Sequence, residues 1–344
     1  MPRTGLRLGF FTRVLDQADP AERYRLAAAQ VVHAERLGFD SAWVAQHHFH
    51  GEEGGLPAPL VFLAHAAAQT SRIRLGTGII TLPLELPVRV AEDASVLDFL
   101  SGGRLEVGVG AGGNLTAFNA FGLDVAERAS LFTGHLDLLR DAWAGGGLAG
   151  GDRLYPANPG LAGRIWQASF SADGARRAGA AGDGLLLSRT QPRPSGPHAP
   201  LHDLQLPMVE AYLGALPSGA APRILASRSV FVADDRAEAM RFAEAGLGRM
   251  RARLDPAGPF AAGTLQNLIA AFDVHVGTPA DVVASLQADR TLEHATDLAV
   301  QVHSVDPPHA HIMRSLELMA EVVAPALGWA RQDGAEGAGL RRVA

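Results

Sequence analysis

Eight short apolar runs, each followed by a turn-forming stretch and then by a helical pattern, set the frame for this chain. The runs are Arg7 to Phe11, Ser41 to Ala45, Ile73 to Ile80, Leu105 to Val107, Ile165 to Ala168, Gly184 to Leu187, Ile224 to Val232 and Asp297 to Val302. Brief apolar segments bounded by Gly, Pro and Asp read as buried strands. The helical stretches carry their own start and stop signals. One runs from Pro20, with Pro in its first turn, to Leu37 and ends at Gly38. Another has Val88, Ala91, Ser95, Leu97 and Leu100 near helical spacing and stops at Ser101-Gly102-Gly103. Regular alternation implies a parallel sheet, and eight units imply an α/β fold closed as a (β/α)8 TIM barrel with inserted loops. No shift in composition marks a boundary. Residues 1–330 are therefore expected to form one barrel domain, and 331–344 a flexible C-terminal tail. The loops that follow the strands are then the active-site face.

What is missing narrows the chemistry. The 344 residues include no cysteine and, on reading the chain through, no lysine. That removes thiolate nucleophiles, cysteine-held metals, Schiff-base catalysis and Walker-type phosphate loops. A formal net charge of −6 with no basic run argues against nucleic acid as a partner. No apolar stretch is long enough to span a bilayer, and Met1 to Phe11 enters the first strand without a signal-peptide core. A cytoplasmic protein with no membrane partner is the expectation.

Four clusters lie past the ends of strands. After the second come His47, His48 and His50, where imidazole can act as acid, base or hydrogen-bond donor. Polar loops also collect histidine for no chemical reason. An H-x-H metal reading of His48 and His50 is the minority one, because no lysine exists to complete it, so no metal is expected. After the fourth strand, Gly108, Gly110 and Gly113 satisfy G-x-G-x-x-G. A dinucleotide fingerprint belongs in the first βαβ unit and opens directly into a helix, so this loop reads instead as close backbone approach to a ligand. Ser169, Ser171 and Ala172 form a strand end and helix N-terminus that suits phosphate, although Ser171 also reads as a plain helix cap. Arg189, past the sixth strand, is a candidate phosphate or substrate partner, against the common case of a solvated arginine.

Longer motifs carry a resemblance. Phe39 to Phe49 (F-D-S-A-W-V-A-Q-H-H-F), Arg72 to Pro83, Val90 to Gly110, Ala120 to Gly122, Gly182 to Arg193 and Ala226 to Asp234 together resemble the bacterial luciferase-like flavin-dependent monooxygenase family, in its FMN-dependent branch. The resemblance implies a barrel that binds reduced FMN at the carboxyl ends of its strands. It also implies that O2 adds to the flavin to give a hydroperoxide, which oxygenates a small organic substrate. His47 corresponds to the family's catalytic histidine, with His48 beside it. Gly78-Ile79 falls where a non-prolyl cis peptide lies under the isoalloxazine. Gly110, Ser169, Ser171 and Ala172 fall near the phosphate end, with Arg189 as a further cofactor-binding candidate.

No nicotinamide site is evident, so a separate flavin reductase is implied as a transient partner, and the family's habit implies a homodimer. Two positions depart from the pattern. Gln46 replaces a Glu before the paired histidines, and Ala111 replaces an Arg in the glycine loop. A deazaflavin-dependent hydride-transfer enzyme, a metal-dependent barrel hydrolase and a non-catalytic flavin-binding protein are the alternative readings. Loops 114–126, 190–200 and 258–267 are expected to select the substrate.

Overall fold

In the computed structural model, which describes residues 5–193, 199–254 and 263–331, the strands in chain order are β1 (Arg7–Thr12), β2 (Ser41–Val44), β3 (Arg74–Thr77), β4 (Ile80–Thr81), β5 (Leu105–Gly110), β6 (Ile165–Ala168), β7 (Gly184–Leu187), β8 (Ile224–Val232), β9 (Val274–Gly277) and β10 (Asp297–Gln301). Parallel pairing runs β1-β2-β3-β5-β6-β7-β8-β10 and returns from β10 to β1, which closes an eight-stranded barrel. The closing seam brings the two ends of the chain together: Arg7 lies opposite Asp297 and bonds its carboxylate at 2.8 Å.

Alternation along each strand separates two cores. Leu8, Phe10, Ala42, Val44, Leu298 and Val300 point outward under the helical layer. Trp43, Trp166, Leu186, Leu225 and Ala299 fill the barrel interior. The two indoles meet edge to face with centroids 5.6 Å apart, a geometry that contributes about 0.5–1.5 kcal/mol beyond area burial. Their N–H groups are satisfied: Trp166 Nε1 donates to Glu106 at 2.7 Å and Trp43 Nε1 to Ser41 at 2.9 Å. Space for the rings comes from glycine. A Cβ on Gly76 would lie 2.2 Å from Trp43, and one on Gly184 would lie 2.2 Å from Trp166.

Where the structure departs from the sequence reading, the causes are local. The single third run, Ile73 to Ile80, is two strands, because the cis Gly78–Ile79 peptide interrupts it between β3 and β4. A further strand that the eight runs do not include, β9, adds to the far half of β8 outside the closed ring. Between β7 and β8 the helix Leu201–Leu213 runs through Pro207, because Leu201, Gln205, Met208, Val209 and Tyr212 give it one continuous buried face. Of the expected tail, residues 332–344 lie outside the described residues. Among the described residues, no helix is long and apolar enough to cross a membrane.

Overpacking a filled core typically costs about 1–3 kcal/mol. Gly76→Ala is therefore expected to lower the unfolding free energy by about that amount in a urea titration, whereas Gly102→Ala, in the turn before β5 with open space around it, is expected to act through its positive φ alone and cost less.

Candidate active site at the barrel mouth

Above the indole layer, the loops that leave the strands bring polar side chains over the barrel's open end. From β1 comes Arg13, whose guanidinium lies 2.5 Å from His47 Nε2 at the end of β2. Arginine only donates, so Nε2 accepts and the His47 proton resides on Nδ1. That edge of the ring lies against Gly54, where a Cβ would fall 2.4 Å from Nδ1, and the His47 N–H donates to Leu56 at 2.9 Å. His47 is thus clasped by its own loop and holds Arg13. His48 turns the other way and meets Phe121 edge to face at 4.9 Å, and burial lowers its pKa below the usual histidine value. His50 lies 3.8 Å from Glu52. The three histidines face three different partners, and among the described residues no group of three or more His, Asp or Glu converges as a metal would require.

Gln46 explains its own departure from the family pattern. Its Oε1 accepts from Thr81 N at 2.7 Å, while Nε2 donates to Pro57 O at 3.2 Å and to Glu85 at 2.6 Å. A glutamate could accept from Thr81 but could not donate to either oxygen. The amide therefore ties β2, β4 and the loop before the next helix together around Gly78–Ile79, and the Gln46 N–H donates to the Ile79 carbonyl at 3.4 Å. Burial raises the Glu85 pKa, the Gln46 bond opposes that rise, and Asp93 adds to it.

The glycine loop separates into different roles. Gly108 and Gly110 are strand residues, not the opening of a helix. Gly108 is needed for strand contact, since a Cβ there would sit 1.9 Å from Thr77 O. Gly110 faces Ile79, with 3.0 Å to its Cδ1 from an added Cβ, so backbone is bare where the mouth opens between β4 and β6. Ala111 is half-buried and packs on the main core rather than presenting a donor. At the end of β6, Ser171 caps helix Ala172–Ala180 by accepting from Gly174 N at 3.2 Å, and Ser169 accepts from Ser171 N at 3.1 Å. The backbone N–H groups of Ala172 and Asp173, in the first turn, have no intrahelical acceptor.

Two further residues arrive from the last strands. Arg189 is 4% exposed; its Nη1 donates to Ser304 at 3.3 Å and, among the described residues, its Nη2 has no partner. Burial, then the nearby Arg13, pull its pKa down to about 9, against Asp306 and Asp273. His303, also 4% exposed, follows β10 and forms a cis peptide with Ser304. Its Nδ1 is 2.7 Å from Asp306 and its Nε2 is enclosed without a partner. Sequence reading passed over Arg13, His303 and Asp306. The signal was positional: Val302-His303-Ser304-Val305-Asp306 stands just past the eighth barrel strand, where polar residues line the mouth.

The matched region of the luciferase-like monooxygenase family model covers residues 6–297. The chain belongs to the luciferase-like monooxygenase family. As a family member it is 40% identical over 105 residues to 4-hydroxyprotoasukamycin monooxygenase of Streptomyces nodosus subsp. asukaensis, covering 30% of this chain and 28% of that one. Matches to the curated relatives span about a third of their length or less. Among solved structures, monooxygenase RslO1 from Streptomyces bottropensis superposes with a TM-score of 0.77 at 25% identity, over 93% of this chain and 99% of that one. The oxygenating constituent of 3,6-diketocamphane monooxygenase from Pseudomonas putida, in complex with FMN, shares the fold at TM-score 0.74 and 20% identity, over 93% and 98% of the two chains. A coenzyme F420-dependent tetrahydromethanopterin reductase from Methanopyrus kandleri shares it at 0.66 and 18%, over 94% and 100%.

Replacing Gln46 by glutamate sets two carboxylates against each other. The folded-state pKa of Glu85 is already raised, so the folded protein binds that proton more tightly than the unfolded chain and stability falls as pH rises through the carboxylate range. Gln46→Glu is expected to steepen this fall, with a loss of about 1–3 kcal/mol at pH 7.5 that largely disappears near pH 5. Urea unfolding at the two pH values checks it.

Proposed function

We propose that this protein is a two-component monooxygenase that uses reduced FMN and O2 to oxygenate a small organic substrate. The observation that carries the reading is a set of enclosed polar atoms without partners around the barrel mouth: His48 Nε2, Arg189 Nη2, Gln191 Oε1, Gln301 Oε1 and His303 Nε2. Buried polar groups are nearly always paired, and leaving one unpaired costs about 1–3 kcal/mol. Four of them on the loops after β2, β7 and β10, with Gln301 at the end of β10 itself, are the lining of a site made for polar molecules.

The residues fit a flavin. The bare backbone at Gly110 beside Ile79, and the cis Gly78–Ile79 peptide held by Gln46, offer a flat surface between β4 and β6. Ser169, Ser171 and the first-turn N–H groups at Ala172 offer hydroxyls and helix N–H groups to a phosphate. Arg189 contributes buried positive charge to the bound molecules from the other side of the mouth. When bound, reduced flavin supplies the electrons that activate O2. The chain's own part is to orient, to exclude water and to manage protons: His47 holds Arg13, and His48, neutral at physiological pH, presents an unused ring nitrogen beside Phe121. The reduced flavin comes from a separate reductase, and the one barrel carries the whole activity in the cytoplasm.

A second reading is hydride transfer with a deazaflavin, favoured by Ala111, which leaves the glycine loop without a cationic side chain for phosphate. A flavin-binding protein without turnover is a third. Anaerobic titration separates them. Reduced FMN is expected to bind in the micromolar range and more tightly than a reduced deazaflavin, and the reverse order would overturn the FMN assignment. His47→Ala is expected to retain reduced FMN within a few-fold of wild type and to lose coupled product formation; unchanged coupling would remove His47 from the machinery.

The assembly follows from an exposed apolar face. Helices Pro59–Ala67 and Pro87–Leu100 pack together and leave Val61, Val96, Phe99 and Leu100 at 72, 46, 57 and 72% exposure. Such a patch marks a protein contact, here the homodimer seam. Light scattering at micromolar concentration is expected to give a dimer, and the double variant Phe99→Glu, Leu100→Glu a monomer. A monomeric wild type would contradict it.

A further inference from the structure

The segment after β10 carries chemistry that the flavin does not need. Backbone bonds from Val305 and Asp306 N–H to Val302 O, at 2.9 and 3.2 Å, fold residues 302–306 into a tight turn. Ser229 of β8 bonds the His303 carbonyl and Arg189, just past β7, bonds the Ser304 hydroxyl, so neighbouring segments hold the turn in place. Within it, the Asp306 carboxylate takes the Nδ1 proton of His303, which fixes the tautomer and leaves the Nε2 lone pair as an acceptor. Asp306 has a φ of 48°, a left-handed conformation that Asn and Asp tolerate.

The surroundings select what that lone pair meets. Arg13, Gln301, His303 and Asp306 line one cleft beside β1 and β10, and Arg189, outside that lining, reaches the same turn through Ser304. Gln301 commits its Nε2 to Ser227 at 2.9 Å, and its buried Oε1 is a second unused acceptor. Arg189 adds an unused cationic donor from the β7 side. A carboxylate or sulfonate would satisfy the guanidinium and leave both acceptors facing an anion. A ligand that donates one O–H and becomes an oxyanion gives His303 Nε2 the proton it can accept and the guanidinium the anion it can hold.

We propose that His303, positioned by Asp306, accepts the hydroxyl proton of a phenol or enol substrate whose oxyanion Arg189 then holds. The O–H bond breaks, the proton goes to Nε2, and its bonding pair stays on the substrate oxygen. The imidazolium is balanced by Asp306 and the oxyanion by Arg189, and nothing is oxidised or reduced. This names the substrate class for the monooxygenase reading and rests on it, because an ionised ring or enol offers an electron-rich carbon to an electrophilic oxygen donor. The groups acting on His303 are Arg13 from the end of β1, Arg189 from the end of β7 and Asp306 from its own turn. Burial, then Arg189, push its pKa down to about 4 against Asp306, so the ring is neutral and able to accept at pH 7. An oxyanion arriving beside Arg189 offsets that cation and raises the proton affinity of the ring as the transfer occurs.

The test uses the full-length protein without flavin and 4-nitrophenol, whose phenolate is coloured. Below the probe's own pKa, wild type is expected to bind it and turn it yellow, with an apparent pKa lowered by about one unit, a tenfold shift in ionisation. Long-range 1H–15N spectra of histidine-labelled protein are expected to show Nδ1-protonated, neutral His303 before binding and imidazolium after it. His303→Gln is expected to bind the phenol and leave it colourless. Asp306→Asn, which keeps the left-handed turn, is expected to bind it with the ionisation shift reduced, which a purely structural role for the carboxylate would not produce. Equal ionisation by His303→Gln, an Nε2-protonated ring in the free protein, or no binding by wild type at millimolar probe would each overturn the proposal. Since no readout involves flavin or oxygen, such a failure leaves the flavin reading standing, and a failure of the flavin titration leaves these results intact.

Discussion

The edge-to-face contact of Trp43 with Trp166 sets the height at which this barrel stops being a core and becomes a site. Two indoles from strands on opposite sides fill the cross-section, each laid against a glycine of an adjacent strand, and Glu106 and Ser41 take their N–H groups. No polar side chain can sink past them. Everything that leaves β1, β2, β7 and β10 with a charge or an imidazole is therefore held at the mouth, where closure of the β1–β10 seam brings residue 13 beside residue 303.

The mouth is expensive to maintain. Arg189 and His303 are almost wholly enclosed, and each has an atom with no hydrogen-bond partner. Their opposing influences make a coupled set: Arg13 and Arg189 disfavour the charged form of His303, Asp306 favours it, and Arg13 is itself tethered by His47. A molecule that supplies an anion to one arginine changes the proton affinity of its neighbours. The fold tolerates this because rigid strands, and side-chain ties such as Gln46 across β2 and β4, hold the loops without help from a ligand.

Much of this was legible in the sequence. The eight barrel strands were, because each buried run is bounded by residues with distinct backbone preferences, and Gly38 does adopt the left-handed φ of 97° that its position as a helix stop implied. The break at Gly78–Ile79 was not legible from periodicity, since an apolar run reads the same whether straight or interrupted; the family resemblance alone pointed to it. Strand β9, V-H-V-G, was not legible because His275 and Gly277 leave only Val274 and Val276 as an apolar signal. Among the candidate residues, His47, His48, Gly78, Gly110, Ser171 and Arg189 all stand at carboxyl ends of strands. The meeting of Arg13 and His47 with the His303–Asp306 pair near Arg189 was not legible, because closure of the barrel at the β1–β10 seam brings residue 13 beside residue 303 from opposite ends of the chain. Gln46 looked like a loss of function by itself and makes sense only once Glu85 is seen beside it.

The central claim is that this mouth holds reduced FMN in a water-excluded setting that directs its reaction with O2. Stopped-flow mixing of the anaerobic complex with oxygenated buffer, followed by flavin absorbance, tests it most directly. The account predicts a flavin species with a spectrum unlike either the reduced or the oxidised form, lasting far longer than in free solution before oxidised FMN appears. Direct conversion from reduced to oxidised FMN at the rate of the free cofactor would contradict it.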